Sequence, residues 1–257
     1  GGPPGALVVG EETYRATRSV IGYAPVEPIQ AKGKRKPLAA WLALGALTAP
    51  AERAASDAPM VGRDRELELL RRTWESVTTE RRPDLMTVIG PPGIGKTRLT
   101  REFVGLVEPS GTRVLRGRSL PYGGSSGYRA FGQQVKDVAG IFETDSPADA
   151  RAKLTAVVTE LCGPIEGPEV ADHLALLIGL GGDRVADRQP LFFSARRFVE
   201  ELASRQPLLL VFEDIHWADA SQLDLLESLA SRVRDVPVMF LALARPELLD
   251  SRSTWGA

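Results

Sequence analysis

The sequence predicts an α/β protein in which a parallel sheet carries helices on both faces and a helical insertion, preceded by a small α+β segment. Three observations lead there. Near-continuous apolar runs at 85–89, 208–214 and 236–244, with a further strand expected at 113–117, read as the strands of a covered sheet. Stretches with apolar residues three and four apart separate them, at about 64–78, 97–107, 128–142, 147–162, 190–204 and 219–233. A Gly- and Pro-rich loop joins the first of these strands to its following helix. Parallel strands need helix-length crossovers, so this alternation favours a parallel, three-layer arrangement.

In chain order, Leu7-Val8-Val9 and 38–47 are short apolar runs read as strands around loops, separated by a Pro-punctuated stretch and the basic cluster Lys32-Gly33-Lys34-Arg35-Lys36. From 48 the sequence turns Ala-, Pro- and Ser-rich without apolar period, the composition of a linker. The expected organisation is therefore a first domain at 1–47, a linker at 48–58 and a second domain at 59–257. In the 64–78 helix, Leu67, Leu69, Leu70, Trp74 and Val77 recur near spacings of three and four and are expected to supply the apolar face. The region 119–205 holds several helical patterns without a strand and reads as an insertion, with Gly-rich turns at 123–127 and 179–182. Neither end carries an initiator Met, a leader pattern or a terminal helix, so the expectation is a piece cut from a longer protein.

Composition removes several function classes. With 257 residues, 43% apolar and 25% charged, the chain can bury a sizeable core. Its net charge of -1 offers no basic face for nucleic acid. The longest apolar run, Leu38 to Ala49, is far short of the roughly twenty residues a membrane-spanning helix needs. The single cysteine, Cys162, has no internal disulfide partner, which suits a reducing compartment and predicts the cytoplasm.

Gly90-Pro91-Pro92-Gly93-Ile94-Gly95-Lys96-Thr97 matches G-x-x-x-x-G-K-[ST] between a predicted strand and a predicted helix. Glycines allow backbone N–H groups to curl around phosphate oxygens, and the helix presents its positive N-terminus. In such a phosphate loop Lys96 reaches the β and γ phosphates and the Thr97 hydroxyl is placed for Mg2+. The predicted fold is accordingly that of a P-loop nucleoside triphosphatase.

Leu208 to Phe212 is a buried-strand run ending in Glu213 and Asp214. Carboxylates at the carboxyl end of a parallel strand face the crevice where such sheets bind ligands, so they can hold a metal or polarise water. Consecutive strand residues point to opposite faces, which predicts that only one of them meets the metal and the other positions water. Asp219 reads as a helix cap. His216 reads as a base or, more simply, as a structural histidine. Arg245 follows the last strand and reads either as a charge stabiliser on the γ phosphate or as a surface ion pair.

These residues resemble the AAA-related ATPase module of the STAND class of signal-transduction ATPases found in bacterial regulators, over about 59–250. Met60-Val61-Gly62-Arg63-Asp64-Arg65-Glu66-Leu67 is similar to that family's entry motif, Gly90 to Thr97 to its phosphate loop, Glu213 to Asp219 to its metal strand with a His-Trp-Ala-Asp continuation, and Arg245 to its sensor arginine. The resemblance implies ATP and Mg2+ as ligands. It implies a cofactor site of Val61, Gly62, Arg63, Gly90, Pro91, Pro92, Gly93, Ile94, Gly95, Lys96, Thr97 and Arg98, and a metal site of Thr97, Glu213 and Asp214. Glu213, Asp214 and Arg245 are the implied catalytic residues. Family patterns place Asp first where this chain has Glu, which leaves open which acid takes which role. The chain also ends before the family's fifth strand and winged-helix lid.

The first 50 residues resemble the carboxyl-terminal tail of a class III adenylate/guanylate cyclase domain: Gly5 to Tyr14 its late strand and helix, and Lys32-Gly33-Lys34 its lysine turn, with Lys32 approaching the triphosphate. That family's metal and transition-state residues would lie upstream. The expected function is Mg-ATP binding with slow hydrolysis as a regulatory switch in a multidomain signalling protein. The alternative is a cyclase whose output this module tunes. Expected partners are other domains of the parent chain and, by resemblance, further copies of it when ATP is bound.

Overall fold

In the computed structural model, which describes residues 7–17, 21–29, 38–46, 60–121, 127–181 and 187–256, contacts divide the chain into two units, Gly1–Pro59 and Met60–Ala257. The first unit holds β1 (Val8–Gly10), α1 (Glu11–Thr17), β2 (Ile21–Ile29) and β3 (Leu38–Ala46), forming an antiparallel sheet of order β1-β3-β2. Tyr14 stacks on Trp41 with ring centroids 4.4 Å apart and meets Tyr23 edge-on at 5.4 Å. These offset and perpendicular pairs seat α1 on the sheet.

β2 corrects the sequence reading, which took this Pro-punctuated stretch as loop. Pro25 and Pro28 cannot donate to a ladder, yet β2 lies at the sheet edge and pairs on one side alone, where proline is tolerated. The lysine turn at 32–34 and the linker at 48–58 lie outside the described residues.

The second unit runs α2 (Asp64–Glu80), β4 (Asp84–Ile89), α3 (Lys96–Val107), β5 (Arg113–Arg118), α4 (Arg129–Ala139), α5 (Pro147–Leu177), α6 (Arg188–Arg205), β6 (Leu208–Glu213), α7 (Ala220–Arg232), β7 (Val238–Ala244) and α8 (Glu247–Ser251). Its four strands are parallel in the order β4-β7-β6-β5. The two central strands explain the continuous apolar runs, because both of their faces are covered. Leu208, Leu210 and Phe212 of β6, with Val238, Phe240 and Ala242 of β7, join a core shared with α4 to α7. The alternate residues Leu209 and Val211, with Met239, Leu241 and Leu243, join a second core with Leu70 and Trp74 of α2 and Phe103 of α3. Each such fully buried Leu or Phe contributes about 1.5–3 kcal/mol. Among the described residues no helix is long and apolar enough to cross a membrane.

The insertion between β5 and β6 consists of α4, α5 and α6 as expected, but α5 continues well past 162. Gly163 adopts φ 85° and ψ 168°, breaking the helix, and Pro164 opens its second half. Proline in a first turn removes a donor that has no acceptor there, so Pro164 is tolerated where the helix restarts. Cys162 precedes this break, and burial pushes its thiol up to about 11.

The carboxyl end also differs from expectation. α8 follows Arg245-Pro246, and Trp255 is buried with Nε1–H donating to Thr87 Oγ1 at 3.0 Å. At the start of α7, Asp219 Oδ1 accepts from the Gln222 amide at 2.9 Å. Replacing that cap, Asp219→Ala, is expected to cost about 1 kcal/mol, lowering the midpoint of thermal unfolding by about 2–4 °C.

Candidate nucleotide site

β4 ends at Ile89, and the loop 90–95 turns the chain into α3, whose first residue is Lys96. Gly93 (φ 78°) and Gly95 (φ 98°) take left-handed conformations that any larger residue would adopt under strain. The Gly90 amide donates to Ala244 O at 3.2 Å, tying the loop to the end of β7. Lys96 Nζ–H donates to Gly90 O at 2.7 Å and Pro91 O at 3.0 Å, folding the ammonium over its own loop. Burial pulls its pKa below the ordinary lysine value, the Arg245 charge acts in the same direction, and Asp214 and Glu247 oppose them.

Arg63, just before α2, donates from Nη2 to Ile94 O at 3.0 Å and from Nη1 to Glu66 Oε1 at 2.6 Å. It thereby closes one side of a cavity of about 120 Å³ lined also by Ile89, Gly90, Pro91, Ile94, Gly95 and Lys96. Val61 beside it is 83% exposed and Gly62 has φ 75°. Thr97 is exposed on the first turn of α3, and Pro92 is exposed on the loop. Arg98 instead reaches along the helix to Glu102 at 2.7 Å.

The acids do not follow strand alternation. Glu213 is the last residue of β6, but Asp214 takes φ 55° and ψ 39°, and a left-handed residue breaks the pleat. Arg118, at the end of β5 and in register with Glu213, faces both. Its Nε–H donates to Asp214 Oδ2 at 2.8 Å, its Nη2 lies 2.7 Å from the same oxygen, and Nε is 3.9 Å from Glu213 Oε2. The expectation of opposite faces is overturned: both carboxylates turn to one guanidinium. Arg245 lies over the Trp217 ring, 5.9 Å from its centroid, within electrostatic range of Lys96 and His216.

A family profile described as "AAA ATPase domain" matches residues 59–241. The chain belongs to this family. Membership carries ATP binding with it. The chain is also 26% identical over 254 residues to an uncharacterized protein of Rhizobium meliloti (strain 1021), an alignment covering 95% of the chain and 24% of the relative. The chain thus spans about a quarter of that relative's length.

The donor set of this AAA ATPase domain fits a triphosphate: an ammonium, left-handed glycines that leave amides free to turn inward, and a helix N-terminus. It fits Mg2+ as well. Among the described residues no group of three or more His, Cys, Asp or Glu gathers as a metal cage, and Mg2+ characteristically uses one or two carboxylates with substrate phosphates and water.

Sequence reasoning missed Arg118 and left His216 undecided. The strand prediction stopped at 117, one residue short of the sheet's carboxyl edge, where position alone marks a residue as facing the crevice. Arg118 is about half exposed, so its ion pair adds less than about 1 kcal/mol to stability. Arg118 occupies the Asp214 carboxylate, so where Asp214 is the metal-binding acid Arg118→Ala is expected to tighten Mg2+-dependent ATP binding by about two- to fivefold, read from a Mg2+ titration, with little change in melting.

Proposed function

We propose that this AAA ATPase domain is a regulatory nucleotide switch of the STAND type, binding Mg·ATP, hydrolysing it slowly and passing its nucleotide state to other domains of a longer signalling protein. The observation that carries this reading is the Lys96 ammonium held over the phosphate loop, within electrostatic range of Asp214 and Arg245. On binding, Lys96 exchanges the Gly90 and Pro91 carbonyls for phosphate oxygens, and the loop amides take the remaining charge. Val61 and Gly62 offer an apolar surface and an open backbone for the base, with Arg63 alongside. Thr97 and one of the two acids would hold Mg2+, which would supply charge neutralisation at the phosphates. The second acid accepts a proton from water as its oxygen attacks the γ phosphorus, the bond to the β-phosphate oxygen breaks, and ADP leaves. Arg245 stabilises charge on the transferring group.

Comparing Glu213→Gln with Asp214→Asn separates the acid roles. The metal-binding acid's variant is expected to lose Mg2+-dependent binding. The water-positioning acid's variant is expected to keep binding and to lose phosphate release by about 10²-fold or more. Equal losses in both assays for both variants would defeat this division.

The alternative places the module in a nucleotidyl cyclase. The strand-then-helix order of β1 and α1 agrees with the late strand and helix of a cyclase tail, and the matched relative's greater length leaves room for a catalytic domain. Cyclic nucleotide formation by the full-length protein tests it, and a full-length protein that makes none contradicts it. The lone thiol supports a reducing, cytoplasmic setting.

A further inference from the structure

His216 is the most unsatisfied side chain beside the site. Both ring nitrogens, Nδ1 and Nε2, are buried and have no hydrogen-bond partner among the described residues. Buried polar groups are nearly always paired, so two idle nitrogens on one ring are a net cost to the fold. The ring stands in the 3-10 turn Ile215–Trp217, two residues beyond Asp214, and the charges acting on it are Asp214, Arg245, Glu247 and Lys96. Arg245, Asp214 and Glu247 act on the Lys96 ammonium as well, which puts the imidazole beside the phosphate loop.

We propose that His216 is the residue by which the site tells ATP from ADP, its imidazole N–H donating a hydrogen bond to the terminal phosphate. This rests on the switch reading above. The loop amides serve the inner phosphates and Lys96 spans the β and γ phosphates, so the terminal phosphate is the one that also approaches the end of β6. The turn is firmly seated: Ile215 is fully buried, the Trp217 amide donates to Asp214 O at 2.9 Å, and the Ala218 amide to Ile215 O at 2.9 Å. Donation to a phosphate therefore calls for a change in the imidazole's side-chain torsions alone, with the backbone in place. The imidazole carries at least one N–H donor in either protonation state. Trp217, 45% exposed, sits 5.0 Å from the imidazole and carries Arg245 on its face, so a ligand that engages the imidazole also bears on the indole and the arginine.

The test measures ATP and ADP binding by calorimetry, indole fluorescence and thermal melting for the wild-type chain, His216→Phe and His216→Gln. His216→Phe is expected to weaken ATP binding about tenfold while ADP affinity changes by less than about twofold. It is also expected to raise the melting midpoint by about 2–4 °C, because two unpaired polar atoms leave the interior. His216→Gln, which keeps an N–H donor, restores most of the ATP affinity. The ATP-induced change in indole emission is lost in His216→Phe and kept in His216→Gln. Equal losses for ATP and ADP, no loss at all, or a melting midpoint that falls in His216→Phe would overturn the proposal and leave the switch reading intact. A wild-type chain that binds neither nucleotide overturns the switch reading itself.

Discussion

Lys96→Ala is expected to weaken Mg·ATP binding by about a hundredfold or more, enough to abolish the thermal stabilisation that ATP gives the wild-type chain. The ammonium makes two hydrogen bonds to carbonyls of its own loop. Each charged hydrogen bond it transfers to phosphate is worth about 1.5–3 kcal/mol, and two of them amount to two or more powers of ten. The fold itself loses little, because Lys96 lies outside both apolar cores. Calorimetry with ATP, paired with melting curves without nucleotide, therefore separates binding from folding. Unchanged affinity in Lys96→Ala would remove the loop from the site.

Gly117→Ala is expected to destabilise the second unit by about 3 kcal/mol, lowering its melting midpoint by about 6–12 °C. A Cβ at Gly117 would stand 1.9 Å from Ala130 O and 2.5 Å from Ala130 C, both backbone atoms of α4. No rotamer change relieves that contact, so α4 must move off β5, and Phe131 and Val135, both buried in the core, move with it. Gly117 precedes Arg118, so the pairing with Asp214 shifts as well. Thermal melting and the Mg2+ titration used for Arg118→Ala report both effects, and wild-type behaviour in both would show that α4 does not bear on β5 as described.

Much of the second unit was legible because its signals are local and redundant. β6 and β7 read as continuous apolar runs since both faces of a central parallel strand are covered, and the phosphate loop carries its spacing in eight consecutive residues. What was missed depends on partners distant in sequence. Pro25 and Pro28 looked like loop residues until β2 proved to be an edge strand, which only the pairing order reveals. The second half of α5 was hidden behind Gly163 and Pro164, whose break-and-restart geometry has the same composition as a helix end. At the site, alternation placed Glu213 and Asp214 on opposite faces, and the left-handed backbone at Asp214 turned both to Arg118, which is 96 residues away from Asp214 in sequence. The idle nitrogens of His216 are a property of packing, invisible to any periodicity.

The most direct test of the nucleotide switch is hydrogen exchange on the wild-type chain without nucleotide, with Mg·ADP and with Mg·ATP. Protection is expected at 90–97 with either nucleotide, and additional protection at 213–219 and 245–247 with Mg·ATP alone. Identical exchange at 213–219 and 245–247 with ATP and ADP, or no protection at 90–97 with either, would contradict the account.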